Sequence, residues 1–261
     1  MADLHRYRLT VEYDGTPFVG WQRQADRLSV QEALETAIFG FCHEQVTTQA
    51  AGRTDSGVHA LGQVVHFDLS RSWDPFRIQE ALNYHLKPHP VAVVACEEVG
   101  PDFEARFSAT RRHYEYRISN RRARPALEMN RVWHVPVPLD ADAMHEGAQF
   151  LVGKHDFTTF RAAECQANSP IRTLDVIVVR RRRDLILVNC SARSFLHHMV
   201  RSIVGTLKLV GEGKWQPKDV KGALDACNRS WCGALAPSAG LYLTGVDYDG
   251  IPDEPPDEND D

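Results

Sequence analysis

The chain has 261 residues, 43% hydrophobic and 25% charged, which is enough to close one large or two modest cores. No apolar run approaches the length of a membrane span and residues 1–6 lack the pattern of a signal peptide, which excludes a helical membrane protein and points to the cytoplasm. Net charge is −5, but residues 253–261 carry six acids and no base, so the remainder sums to +1 and its arginines are clustered, as a partner of polyanions requires.

In chain order, residues 7–13 alternate apolar and polar side chains, a half-buried strand ended by Asp14-Gly15. Ser29-Val30-Gln31-Glu32 reads as a capping box, and Val30, Ala33, Leu34, Ala37, Ile38 and Phe41 then share one helical face. Two strands, residues 46–50 and 63–69, flank the decapeptide Ala51-Gly52-Arg53-Thr54-Asp55-Ser56-Gly57-Val58-His59-Ala60. A second helix follows Asp74-Pro75, with Ile78, Ala81, Leu82 and His85 at helical spacing, and residues 91–98 form a further strand. The second half repeats the order: strands at 113–118 and 132–135, a helix from Asp140 closed by Gly153, strands at 171–179 and 185–192, helices at 200–210 and 217–227, and a strand at 241–248. The first half thus reads β-α-β-β-α-β and the second the same with additions, so the expected fold is α+β: two ferredoxin-like halves, 1–105 and 106–250, joined into one large mostly antiparallel sheet with helices on one side and a cleft. Residues 251–261, acidic and proline-rich, read as a disordered tail.

The decapeptide holds an acid, a base, two hydroxyls and an imidazole between flexible glycines, on a loop between rigid elements. An Asp beside a Gly is also an ordinary turn residue, so its company decides. Arg201, at the border of the apolar face set by Val200, Val204 and Leu207, needs an anionic partner, and Asp55 is a candidate. Adjacent His197 and His198, read on a helix, point about 100° apart, which argues against a metal site. Cys42, Cys96, Cys165, Cys190, Cys227 and Cys232 contain no C-x-x-C pair and read as reduced and buried. Arg111, Arg112, Arg121, Arg122 and Arg124, interleaved with His113, Tyr114 and Tyr116, suit nucleic acid: cations hold phosphates and rings stack on bases. For the run 180–183, at a hairpin turn, a solvated face is as good a reading as phosphate binding.

Five separated motifs, in order along nearly the whole chain, resemble the bacterial tRNA pseudouridine synthase A family: Tyr13-Asp14-Gly15-Thr16 with Gly20-Trp21-Gln22, residues 52–60, Arg106-Phe107-Ser108-Ala109-Thr110 running into Tyr114, Phe195-Leu196-His197-His198-Met199-Val200-Arg201, and Ala236-Pro237 through Gly240-Leu241-Tyr242-Leu243. The resemblance implies a homodimeric isomerase without cofactor or metal that converts uridines at positions 38–40 of the tRNA anticodon arm to pseudouridine. It implies Asp55 as catalytic carboxylate, Tyr114 as the ring stacked on the target base, Arg201 as partner of the aspartate, and Arg53 as an aid to RNA binding or base flipping. Tyr114 is also a candidate acceptor of the C5 proton. The chain departs from the family at His113, where many members have an arginine run into the tyrosine, and in its acidic tail. Two other classes stay open: an RNA-binding module of the same topology, although no RNP1-like pattern is present, and a metal-dependent hydrolase built on Asp14, Asp55 and His59.

Overall fold

A computed structural model describes residues 4–249; the acidic stretch from 251, expected to be disordered, lies outside the described residues. The elements are β1 (His5–Tyr13), α1 (Val30–Cys42), β2 (Gln49–Ala50), β3 (His59–Leu69), α2 (Pro75–His85), β4 (Val91–Val99), β5 (Ala109–Ser119), β6 (Trp133–His134), α3 (Ala141–Gln149), β7 (Gly153–Asp156), β8 (Ile171–Arg182), β9 (Leu185–Ala192), α4 (Met199–Gly211), α5 (Pro217–Asp225) and β10 (Leu241–Tyr248). The first three helices begin where the sequence places caps. Ser29 accepts from the Glu32 amide, Asp74 from Phe76 ahead of α2 with Pro75 in its first turn, and Asp140 from Asp142 and Ala143.

The strands form one sheet in the order β4-β1-β3-β10-β5-β9-β8-β7, with β2 on β3 and β6 on β5. Strands β4-β1-β3-β2 and strands β10-β5-β9-β8 repeat the same spatial order, fourth, first, third, second. Every pairing is antiparallel except β5 with β6 and the join of the halves, where Tyr242 and Leu243 of β10 run parallel to His59 and Ala60 of β3. Leu241 and Leu243 project from the same face of β10; Leu241 belongs to the core under α3, α4 and α5, Leu243 to the core under α1 and α2. The helices of both halves therefore cover the same side of the sheet.

Three local readings are corrected. The strand after the decapeptide begins at His59, inside it, because β10 supplies a partner there, while the strand before it is only two residues long. The helix from Asp140 stops at Gln149, and Gly153, at φ +105°, opens β7 instead of closing the helix. As an edge strand paired with β8 alone, β7 needs no apolar alternation and leaves no sequence signal. All six cysteines are free, but only Cys190 is buried and Cys227 is exposed.

Candidate active site

The decapeptide is held from beneath. Trp21 donates its amide to the Thr54 carbonyl at 3.0 Å, and Gly20 bridges Asp55 as a single β-pair. The two hydroxyls serve the turn, Thr54 Oγ1 on Tyr13 Oη at 2.8 Å and Ser56 Oγ donating to the Phe18 carbonyl at 3.2 Å. His59 does likewise: its Nδ1 accepts from the Gly15 amide at 3.0 Å and its Nε2 faces the carbonyls of Asn130 and Ala239 at 3.0 and 3.2 Å, the pattern of a neutral ring protonated on Nε2. Gly20, at φ +109°, has room for no side chain, since a Cβ would stand 2.5 Å from the Thr54 carbonyl oxygen. Gly20→Ala is expected to displace the Asp55 loop and lower stability by about 1 kcal/mol or more, since a Cβ is strained at positive φ and meets the Thr54 carbonyl; a thermal-unfolding comparison with wild type checks it.

Asp55 turns instead toward residues 197–201 of the second half. Its Oδ2 accepts from Arg201 Nη1 at 3.1 Å, across 146 residues of sequence, and lies 3.3 Å from His198 Nε2; its Oδ1 lies 3.2 Å from His197 Nε2. Arg201 is itself fixed by donating Nε to the Ala236 carbonyl at 2.8 Å. That carbonyl reaches α4 because Gly205 has no Cβ, which would fall 1.8 Å from the Ala234 oxygen. The histidines do not lie on the helix where their spacing suggests. Both precede α4, His198 in the left-handed region at φ +64°, and this turn aims the two rings at one carboxylate. Their contact with Asp55 escapes sequence reasoning because left-handed backbone is uncommon outside glycine, and its enrichment at histidine is too weak to place it at His198.

Tyr114 stands beside this group, its ring edge-on to Phe195 at 5.0 Å. Burial, then the nearby Tyr13 and Asp55, push its phenol well above the usual value. Ligand atoms of Asp55, His197 and His198 lie within 4.8 Å of one another, a three-donor set for a metal. The Arg201 guanidinium already occupies that carboxylate and would repel a second cation, so the set fits an arginine-paired carboxylate better than a metal.

Residues 9–108 and 148–249, well over half of the chain, match a family model described as tRNA pseudouridine synthase. The chain belongs to the tRNA pseudouridine synthase family. It is 59% identical to tRNA pseudouridine synthase A of Xanthobacter autotrophicus over 94% of its own length and 100% of that protein's. It is likewise 61% identical to that of Paramagnetospirillum magneticum, over 94% of the chain and 96% of the relative, and 60% identical to that of Beijerinckia indica, over 94% of each. Like the family, the chain is a tRNA-modifying isomerase. Among its described residues no helix is long and apolar enough to cross a membrane.

A tRNA pseudouridine synthase needs cations for the backbone of its substrate, and the expected arginines divide. Arg53 is exposed and makes no hydrogen bond or ion pair among the described residues, two positions from Asp55. Arg122 is equally free; Arg121 is exposed, with Nε on the Ala123 carbonyl and a loose contact to Asp184 at 3.7 Å; Arg111 leans on Asp175 at 3.3 Å. Arg112, expected in the RNA footprint, is buried instead, and its five N–H bonds go to the carbonyls of Ala51, Ala109, Arg193 and Arg106. No donor remains for a phosphate. Tyr116 is likewise core, donating to the Pro237 carbonyl. Arg183 and Asp184 turn the β8–β9 hairpin, with Arg183 at φ +55°.

Burial lowers the pKa values of His59 and His66 below the usual 6.5. Between those values and 6.5 the unfolded chain binds more protons than the folded one, so stability must fall as pH drops through 6.5 and level off below the folded values. Denaturation midpoints at pH 7.5 and 5.5, both above the carboxylate range, are expected to show the loss; equal midpoints would contradict it.

Proposed function

We propose that this protein isomerises uridines 38–40 on the 3′ side of the tRNA anticodon arm to pseudouridine, with Asp55 as the group that acts on the nucleoside. The observation that carries the assignment is the Asp55–Arg201 pair at 3.1 Å, which brings a carboxylate from one half of the chain against a guanidinium from the other, beside Tyr114. A uridine within the arm is inaccessible until flipped out, and the free Arg53 guanidinium suits the displaced backbone while the Tyr114 ring offers a stacking surface. The carboxylate then acts as nucleophile or as base toward the sugar, so that the N1–C1′ bond breaks, the uracil turns, and a C5–C1′ bond forms as the C5 proton passes to N1 overall. Oδ2 is committed to Arg201 and His198, whereas Oδ1 has only the exposed His197 on it among the described residues. Oδ1 is the oxygen that a nucleoside displacing that imidazole reaches. The same reading carries a homodimer in the cytoplasm, which sedimentation would register as twice the chain mass.

The test is to incubate the protein with a tRNA transcript and map pseudouridine. Product is expected within positions 38–40 and none from a transcript with cytidine there; product elsewhere would move the site, and no product on any tRNA would overturn the function. Changing Arg121 and Arg122 to Ala is expected to weaken tRNA binding and to reduce the slope of log affinity against log salt by about 1 for each phosphate no longer neutralised. An unchanged slope would remove this loop from the footprint.

A further inference from the structure

A cavity of about 640 Å³ opens beside residues 102–110, within the range of about 300–1,000 Å³ that ligand sites occupy. Its floor is rigid and aromatic: Phe103 packs on Tyr248 at 5.0 Å, and Tyr248 Oη donates to the Ala105 carbonyl at 2.7 Å. Its rim carries Phe107, 75% exposed, whose ring face is open to a stacking partner. The Arg106 guanidinium lies 5.3 Å from that ring, and Arg193 lines the same opening; neither has an ion pair among the described residues. The buried Arg112 ties the backbone of the two positions together, donating to the carbonyls of both Arg106 and Arg193 at 2.6 Å.

Two short stretches of chain link the cavity wall to Asp55. Arg112 also holds the Ala51 carbonyl at 2.8 Å, and four residues of chain span at most about 14 Å from Ala51 to Asp55. From Arg193, the stretch leading to α4 passes Phe195 against Tyr114 and then His197 and His198 on Asp55.

We infer that this cavity receives an unpaired nucleotide of the RNA strand that also presents the uridine to Asp55, its base stacked on Phe107 and its phosphate on Arg193. The inference rests on the proposed tRNA activity. The chemistry of the walls agrees with it. An aromatic ring with a guanidinium behind it is a sequence-tolerant platform for a base, and the Arg193 guanidinium at the opening, without an ion pair among the described residues, suits a phosphate. The rim acids Asp102 and Asp249 disfavour phosphate on their side and accept from ribose hydroxyls or exocyclic amines.

The test compares wild type, Phe107→Ala, Phe107→Trp and Arg193→Ala in steady-state kinetics on a tRNA transcript, with tRNA affinity measured by filter binding. Stacking contributions of this kind correspond to about five- to a hundredfold in affinity. Phe107→Ala is expected to raise KM and Kd within that range with kcat little changed, Phe107→Trp to restore both, and Arg193→Ala to weaken binding and lower its salt dependence. Unchanged KM and Kd in Phe107→Ala and in Arg193→Ala would overturn the inference while leaving the activity standing. Absence of pseudouridine with wild type would instead overturn the reading on which it rests. If Phe107→Ala does not fold, Arg193→Ala decides alone, its side chain being exposed.

Discussion

Asp55→Asn is expected to leave the fold in place and lower pseudouridine formation by at least about a thousandfold, the scale on which loss of a nucleophile or base is felt. The amide keeps the shape of the carboxylate and still accepts from Arg201, so the pair across the halves survives as a hydrogen bond. What vanishes is the anionic oxygen. A site only partly buried, on a loop pinned by backbone contacts through Thr54 and Gly20, should lose little stability, and a thermal midpoint near that of wild type is the accompanying expectation. The decisive measurement is single-turnover conversion of a tRNA transcript under saturating enzyme. A rate within about tenfold of wild type would remove Asp55 from the chemistry, and a loss of tRNA binding in place of rate would make it a binding residue.

Arg201→Ala is expected to cost both activity and stability. The guanidinium has two attachments, Nη1 on Asp55 and Nε on the Ala236 carbonyl, so its removal frees the carboxylate and loosens the segment that runs along α4. A fall of about a hundredfold or more in kcat follows if the carboxylate must be oriented to react. Unfolding free energy should drop by about 1–3 kcal/mol for the missing charged hydrogen bond and the unpaired carbonyl. Arg201→Lys separates the two: one ammonium cannot hold both partners in the arginine geometry, so partial rescue of stability with little rescue of kcat is expected. Full activity in Arg201→Lys would show that charge alone matters.

Helix starts were legible because their signals are local. Ser29, Asp74 and Asp140 cap the helices they precede, and the alternation around Tyr7, Leu9 and Val11 gives β1. The partnership of Arg201 with Asp55 was legible for a different reason: a guanidinium at the border of an apolar face needs an anion, and Asp55 stands between two glycines able to present one. The interior role of Arg112 was not legible, since an arginine in a basic run looks the same whether it meets phosphate or four carbonyls. Nor was the aim of His197 and His198, which depends on one left-handed residue. The short edge strand β7 and the two-residue parallel contact of β10 with β3 are long-range pairings with almost no local pattern of their own.

That last contact bears on how the enzyme comes into being. Strand β3 is complete by Leu69, yet the edge of it nearest Asp55 stays open until Tyr242 and Leu243 arrive, more than 170 residues later in synthesis. Loop closure over such a separation is slow, and an open edge meanwhile invites mispairing. Arg201, too, is absent until the second half has folded. A ribosome-bound chain therefore holds Asp55 for most of its synthesis without its guanidinium partner, and the contacts that join the two halves form only late, when the final strand docks.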